Sequence, residues 1–435
     1  MKMRNVLVFP AGTEIGLEIF QALRYCKEVR LFGAGQDISN HARFVYPEYH
    51  VVPSIHESEW LNRLVNLCRE LAIDYIFPAY DDVIVALSRN ADHLPATIIS
   101  SGPRACEISR SKSDTYRILA DKIRVPVMYE SAGQVTAYPV LVKPDRGQGS
   151  QGIHKVLNHD HLIAALRAVN DPIICEYLPG EEYTIDCFSD RERGLLFAGA
   201  RSRRRTRNGI SVNTKTEYLP EVHEMASIIG REMGLRGAWF FQLKRATDGE
   251  LALLEVAPRI AGAMATHRVI GVNFPLLSIF EEERLPIAIS PNHLAIELDR
   301  ALSNRYLHPV RYSALYVDLD DTLLVNGRVN PQVIKLIFQC INNGKPVRLI
   351  TRHQGNIALT LAKHRIACIF DEIIHLSEGE PKSKFITESD AIFVDDSFSE
   401  RNEVAHNCGI LTFDCSMVEL LTEQAESINN GVIND

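Results

Sequence analysis

The chain has 435 residues, 46% hydrophobic and 23% charged, and a formal net charge of -8 at pH 7. That length exceeds what one core of usual size serves, and the ordinary composition excludes a disordered or fibrous chain. The acidic balance argues against nucleic acid as a partner and for small molecules. No apolar run approaches the ~20 residues that span a bilayer, so no membrane partner is expected. The N-terminus enters a strand-like run in place of a secretory signal. The 9 cysteines form no Cys-x-x-Cys pair and mostly sit in apolar runs, such as the one around Cys368. They read as reduced core residues, and the expected location is the cytoplasm.

In chain order, residues 1–111 alternate short apolar runs with amphipathic segments: "NVLVFPA", "EIGLEIFQALRYC", "EVRLFGAG", "WLNRLVNLCRELA", "DYIFPAY" and "TIISSG". This alternation predicts a parallel, doubly wound α/β unit. Residues 112–300 mix strand runs ("YPVLVKP", "PIICEYL", "YTIDCF", "GLLFAGA", "ELALLEVAPR") with helical ones ("HDHLIAALRAV", "EVHEMASIIGREMG"), an α+β unit. A linker is expected over 301–311. From 312 a third alternation, "ALYVDLD", "KPVRLIT", "IACIFDEIIHL" and "DAIFVDD", predicts another parallel α/β unit, ending in a polar tail over 423–435.

In the middle unit a β-branched strand leads into Lys143, then a loop with Gly147, Gly149, Ser150 and Gly152. Such a loop brings backbone N–H groups close to a polyphosphate whose charge Lys143 neutralises, although alone it reads equally as a hairpin turn. "ICEYLPGEEYTIDCF" and "WFFQLKRATDGELALLEVAPRIAG" follow in order. Together these motifs resemble the ATP-grasp superfamily, nearest to its carbamoyl-phosphate-synthetase-like ligases, with residues 1–111 as its pre-ATP-grasp domain. The resemblance implies ATP and Mg²⁺ as cofactors. It assigns Lys112 and Lys143 to the phosphates, the Gly147–Gly152 loop to a lid, and the backbone of Glu176, Tyr177 and Leu178 to the adenine. Glu182 is assigned to the ribose, Gln242 and Glu255 to the metal, and Arg259 to charge on the transferring phosphoryl group. Oxygen ligands suit hard Mg²⁺. Ala257 departs from the family, which often has Asn there. The basic run "ARSRRRTRNGISVNTKT" reads mainly as a solvated loop, with Arg201 and Arg203 as a clamp on a substrate carboxylate or phosphate. His267 could face the cleft but reads as structural.

In the last unit the strand "ALYV" ends in Asp318-Leu319-Asp320-Asp321-Thr322. Alternation would put Asp318 and Asp320 on one side, where one carboxylate attacks phosphorus and the other moves a proton; two such acids also cradle magnesium. Thr351 ends a second strand, Lys382 and Lys384 follow, and Asp395 and Asp396 end a third. This order resembles the haloacid dehalogenase (HAD) superfamily in a capless, Rossmann-like form. By that resemblance Asp318 is the nucleophile, Asp320 the general acid/base, and Thr351 a phosphate hydrogen-bond donor. Lys382, with Lys384 as the alternative, is the balancing cation, and Asp395 or Asp396 joins Asp318 and Asp320 at the metal.

The expected function is an ATP-dependent ligase joining a carboxylate to an amine through an acyl phosphate, fused to a Mg²⁺-dependent phosphomonoester hydrolase. Its partners are the acid, the amine, a phosphoester and a second copy of the chain. An acyl-phosphate-releasing kinase and an ATP sensor, to which Ala257 lends support, are the alternatives.

Overall fold

The structure, a computed structural model, describes residues 2–147, 149, 151–302, 306 and 309–422. Part of the expected linker and the polar tail 423–435 lie outside the described residues. The chain divides into two compact units, one reaching Leu302 and the other beginning beyond it. Among the described residues no helix is long and apolar enough to cross a membrane.

The first unit opens with a parallel sheet of β1 (Arg4–Phe9), β2 (Val29–Gly35), β3 (Tyr49–Val51), β4 (Tyr75–Pro78) and β5 (Thr97–Ile98), ordered β3-β2-β1-β4-β5. Helices cover both faces of such a sheet, so its strands read as continuous apolar runs rather than as alternation; Val6, Leu7 and Val8 are fully buried. Helix α1 (Glu14–Leu23) starts where the Thr13 side chain accepts the Gly16 N–H. The strand order reverses between β1 and β4. The loops leaving those strands therefore diverge and open a crevice at their carboxyl ends.

A four-stranded antiparallel sheet follows: β6 (Met128–Tyr129), β7 (Val140–Pro144), β8 (His154–Val156) and β9 (Pro172–Glu176), ordered β6-β9-β7-β8. Next comes a six-stranded antiparallel sheet of β10 (Glu182–Asp190), β11 (Gly194–Arg207), β12 (Ile210–Glu217), β13 (Gly237–Arg245), β14 (Leu251–Ala257) and β15 (Glu297–Asp299), ordered β14-β13-β10-β11-β12-β15. The basic run expected as a solvated loop is instead the second half of β11, paired along β12. It stays in a strand because acids neutralise it: exposed Arg204 and Arg205 pair with Glu297 and Asp299 of β15 at 2.9 and 2.8 Å.

One hydrophobic core mixes Val6, Val8 and Phe77 of the first sheet with Phe240, Ala257 and Ile260. Each large apolar side chain buried there contributes about 1.5–3 kcal/mol. Buried Glu18, paired with half-buried Arg268 at 2.6 Å, adds a polar tie between α1 and the segment after β14.

The second unit is a parallel sheet of β16 (Leu315–Val317), β19 (Val347–Thr351), β20 (Glu372–His375), β21 (Ile392–Val394) and β22 (Leu411–Phe413), ordered β20-β19-β16-β21-β22. After β16 a small hairpin, β17 (Leu324–Val325) and β18 (Arg328–Val329), turns through Asn326 and Gly327 with φ of +50° and +69°. Asn-Gly is the pair that a type I′ turn demands, and the sequence reading passed over it. Helix Pro331–Asn342 follows, and nothing else occupies the stretch before β19. Of the run "IACIFDEIIHL" only its second part is strand, and Cys368 is exposed rather than core. Cys68, Cys106, Cys175, Cys187 and Cys340 are buried thiols as expected.

Candidate active sites

Lys143, near the end of β7, is 4% exposed, and its Nζ donates to the Tyr116 hydroxyl at 2.9 Å. That hydroxyl in turn donates to the Leu254 carbonyl at 2.7 Å, which tells the lysine where to point. Burial works against its charge, but the Tyr116 oxygen and the Glu255 carboxylate more than offset it and hold the ammonium protonated. Lys112 begins the helix Lys112–Leu119, and its Nζ donates to the carbonyls of Asp145 and Gly147 at 3.2 and 3.1 Å. Burial is the main cause that lowers its pKa. The loop after β7 meets the turn between β11 and β12 backbone to backbone. A Cβ on Gly209 would lie 2.3 Å from the Gly149 Cα, and both glycines have positive φ, so neither position accepts a side chain. Ser150 lies outside the described residues.

Glu176 ends β9 and turns its carboxylate to Arg124 at 2.7 Å, leaving the backbone of Glu176, Tyr177 and Leu178 along a cavity of about 310 Å³. Lys143, Glu182 and Lys244 also line it. Glu182 is not free: Arg203 Nε stands 2.6 Å from it. Gln242 on β13 and Glu255 on β14 face each other as a cross-strand pair, and the register slips just beyond them. Directly opposed residues put two oxygen donors side by side on one sheet face, and the bulge aims them. This donor set, all oxygen, fits Mg²⁺.

A second cavity of about 310 Å³ shares Lys112, Gly147, Arg203, Gln242 and Glu255 with the first, then extends to Thr13, Tyr80 and Asp81 at the crevice of the parallel sheet. Arg259 lines it, with Nη2 2.9 Å from Asp81 in a bidentate pair. Burial opposes the Asp81 charge, but Arg259 outweighs it and holds the carboxyl below its usual range.

Arg201 and Arg203 do not form one clamp. Arg201 is 2% exposed and grips Asp186 through Nε at 2.8 Å and Nη2 at 3.1 Å, while His267 Nδ1 meets the same carboxylate at 2.9 Å. Arg203 turns to Glu182 and to the Gly209 carbonyl. Alternation along a strand places residues 201 and 203 on one face, but their fixed partners differ. Asp186 and Asp81 were missed by sequence reasoning. Paired acids opening a helix after an apolar strand, as at Asp81 and Asp82, were the available signal.

In the second unit, Asp318 follows β16, Thr351 ends β19 and Asp395 follows β21, so all three stand at carboxyl ends of adjacent parallel strands. Lys382 is 3% exposed, and its Nζ donates to Asp318 at 2.7 Å and to Asp395 at 2.6 Å, whereas Lys384 is exposed. Burial, reinforced by Asp395, pushes the Asp318 carboxyl up to about 6 against the pull of Lys382. Carboxylate oxygens of Asp318, Asp395 and Asp396 lie within 4.8 Å of one another, an all-oxygen set that fits Mg²⁺. Thr322 braces this cluster, since its Oγ1 donates to Asp396 Oδ1 at 3.1 Å and accepts the Asp396 N–H at 2.8 Å.

The Asp320 side chain is not in that cluster. Strand alternation fails because β16 ends at Val317 and the chain turns at Asp321, with φ of +56°. Asp320 instead accepts from His353 Nδ1 at 2.9 Å, while His353 Nε2 meets the Thr360 hydroxyl at 2.8 Å. Thr351 is buried, and its Oγ1 accepts the His353 N–H at 3.2 Å. His353 escaped the sequence reading; its place two residues beyond Thr351 was the only hint.

A family model described as "ATP-grasp in the biosynthetic pathway with Ter operon" matches residues 168–292. The biotin carboxylase domain of Hydrogenobacter thermophilus 2-oxoglutarate carboxylase, solved with MgADP and bicarbonate, is similar at a TM-score of 0.56 and 17% identity, over 67% of this chain and 72% of that one. An L-amino acid ligase from Bacillus licheniformis is similar at 0.52 and 18% identity, over 64% of this chain and 74% of that one. Over about two thirds of its length the chain shares the fold of these two proteins. The D-alanine–D-alanine ligase of Fusobacterium nucleatum is 28% identical over 106 residues, or 24% of this chain. That match spans 37% of the ligase's length.

Proposed function

We propose that the first unit is an ATP-dependent ligase that activates a carboxylate as an acyl phosphate and transfers the acyl group to an amine. The observation that carries this reading is the pair of cavities meeting at Lys112, Gln242 and Glu255. One has the surroundings of a nucleotide: Lys143, the Glu176–Leu178 backbone and Glu182. The other has the surroundings of a small acid. In the first step an oxygen of the acid attacks the γ-phosphorus of ATP, and ADP leaves. In the second the amine attacks the acyl carbon, phosphate leaves, and the amine loses a proton. Lys143 and Lys112 hold the phosphates, and Arg259, steadied by Asp81, faces charge that grows on the phosphoryl group. Gln242 and Glu255 would hold Mg²⁺, which neutralises and aligns the phosphate oxygens.

The second unit, in the same reading, hydrolyses a phosphomonoester. Asp318 attacks phosphorus, Asp320 gives the departing oxygen a proton, and water then releases phosphate from the aspartyl phosphate. Lys382 orients Asp318, and the Asp318, Asp395 and Asp396 oxygens would hold Mg²⁺.

The ligase test is ADP release with Mg·ATP and a panel of carboxylic acids, with hydroxylamine as the trapping amine. The expected result is hydroxamate in step with ADP, since hydroxylamine intercepts an acyl phosphate. Nucleotide binding without ADP release for any acid would overturn the ligase in favour of an ATP sensor.

A further inference from the structure

The second cavity of the first unit runs beyond the edge it shares with the nucleotide side to a floor formed by Arg201, Arg300, Glu14 and Gly262. Two nitrogens of the Arg201 guanidinium are held by Asp186, but Nη1 is buried with no hydrogen-bond partner. A buried donor left unmade costs about 1–3 kcal/mol, and a charged one more. Such a group is unusual unless water or a bound group completes it.

Arg300 brings a second guanidinium to the same floor. Its backbone N–H donates to Val212 at 2.8 Å, extending the β12–β15 pairing and fixing where the side chain starts. Burial and then the neighbouring Arg201 charge push its pKa below the ordinary value, against the pull of Glu14 and Glu18. Glu18 is already held by Arg268 at 2.6 and 3.2 Å. Among the described residues no carboxylate stands in an ion pair with Arg300. A Cβ on Gly262 would lie 3.0 Å from Arg300 Nη2 and 3.2 Å from the Glu14 carbonyl carbon. The missing side chain therefore lets the guanidinium lie beside the first turn of α1, a helix of 10 residues. Thr13 takes the Gly16 and Leu17 N–H groups of that turn, which leaves those of Glu14 and Ile15 without a partner within the helix and pointing outward from its end. Glu14 is exposed, so solvent screens its charge while the Arg201 donor stays dry.

We propose that this floor is an anion subsite, and that the acid activated by the ligase carries a second, non-reacting acidic group, a carboxylate or a phosphate, which docks on Arg201 Nη1, Arg300 and the α1 amides. The proposal rests on the ligase reading. The reacting carboxylate stays at the other end, beside Lys112, Gln242 and Glu255, so the substrate is a diacid spanning the cavity rather than a monoacid.

The test uses the full chain with Mg·ATP and matched pairs of acids: glutarate against its half-amide, succinate against its half-amide, and 3-phosphoglycerate against glycerate. For at least one pair the KM of the diacid should be about tenfold or more below that of its partner. Arg300→Ala should bring that ratio to within about twofold of one, and Glu14→Gln should lower the diacid KM. The carboxylate and phosphate pairs separate the two sources of the anion. A ratio near one in the unaltered protein, or one that survives Arg300→Ala, overturns the proposal. Should no acid release ADP, the ligase reading fails by itself. The subsite is then read by calorimetry of the same diacids against protein saturated with Mg²⁺ and a non-hydrolysable ATP analogue. Binding that Arg300→Ala weakens about tenfold sustains it, and absence of binding overturns it.

Discussion

The two candidate sites solve the problem of buried charge in opposite ways. In the second unit, charges converge: Lys382 touches both Asp318 and Asp395, and Asp396 closes the group. In the first, each charge has its own partner on a different element: Lys143 with Tyr116, Arg203 with Glu182, Arg259 with Asp81, Arg201 with Asp186. A converging cluster suits one small group, such as a phosphoryl, that enters at a single point. A distributed set suits long ligands, and its pairs exchange for ligand contacts one by one as those ligands arrive. Changes in the second unit should therefore act all or none, and changes in the first should grade.

The sharpest break is expected at Asp318. Asp318→Asn should lower phosphomonoester turnover by about 10⁴-fold or more, because it removes the proposed nucleophile. Asp320→Asn separates the two roles. Since Asp320 stands outside the cluster, alkyl phosphates should suffer more than aryl phosphates, whose leaving oxygens need little protonation. An unchanged ratio of the two rates would refute that division.

Asp186 should show the largest effect on stability. Asp186→Asn leaves Arg201 buried and unpaired, a loss of about 3–5 kcal/mol in a denaturant titration. Burial raises the Asp186 pKa, but Arg201 and His267 outweigh it and the carboxyl lies below its usual 3.8. A depressed native pKa makes this contribution complete above about pH 4 and lost as the pH falls below it. A variant as stable as the parent at neutral pH would show that the pair is not holding the sheet.

Lys143→Ala should weaken Mg·ATP by about ten- to a hundredfold in calorimetry, the worth of one charged hydrogen bond, without abolishing binding, since Lys112 remains. Complete loss would mean that the first site converges after all. The mildest change is Thr322→Val, which leaves Asp396 without its brace. About 1–2 kcal/mol of stability should go, with the metal requirement of the proposed hydrolase shifted to higher magnesium.

How legible each site was follows from the same contrast. Asp318, Thr351 and Asp395 stand at the ends of parallel strands, where one short motif per strand is enough to find them, and Lys382 opens a short turn beyond a fourth. Between Lys382 and Lys384 the sequence offers no choice; in the structure Lys382 is the one that is buried against Asp318 and Asp395. Gln242 and Glu255 were assigned by resemblance alone, and the pairing that makes them neighbours is visible only in the structure. By contrast, Arg201 and Arg203 looked like one clamp because spacing along a strand reveals the face but not the partner across it. Asp186 and Arg300 come from remote segments, and no local pattern could announce them; for Asp81 the one signal was the pair of acids that opens its helix. The basic run misled for a related reason: it reads as solvated until Glu297 and Asp299 of β15, almost a hundred residues on, are set beside it. Asp320 was misplaced because alternation was extended past the last residue of β16.

The contact between Gly149 and Gly209 joins the loop after β7 to the turn between β11 and β12, with no side chain between to give way. Both glycines border both cavities. A displacement of one loop is thus transmitted to the other as a rigid latch would transmit it. If one cavity takes the nucleotide and the other the acid, as proposed, filling one changes the freedom of the other, and thermodynamic reciprocity then requires each ligand to change the other's affinity by the same factor. On that reading the latch makes the two ligands cooperative before any bond is formed.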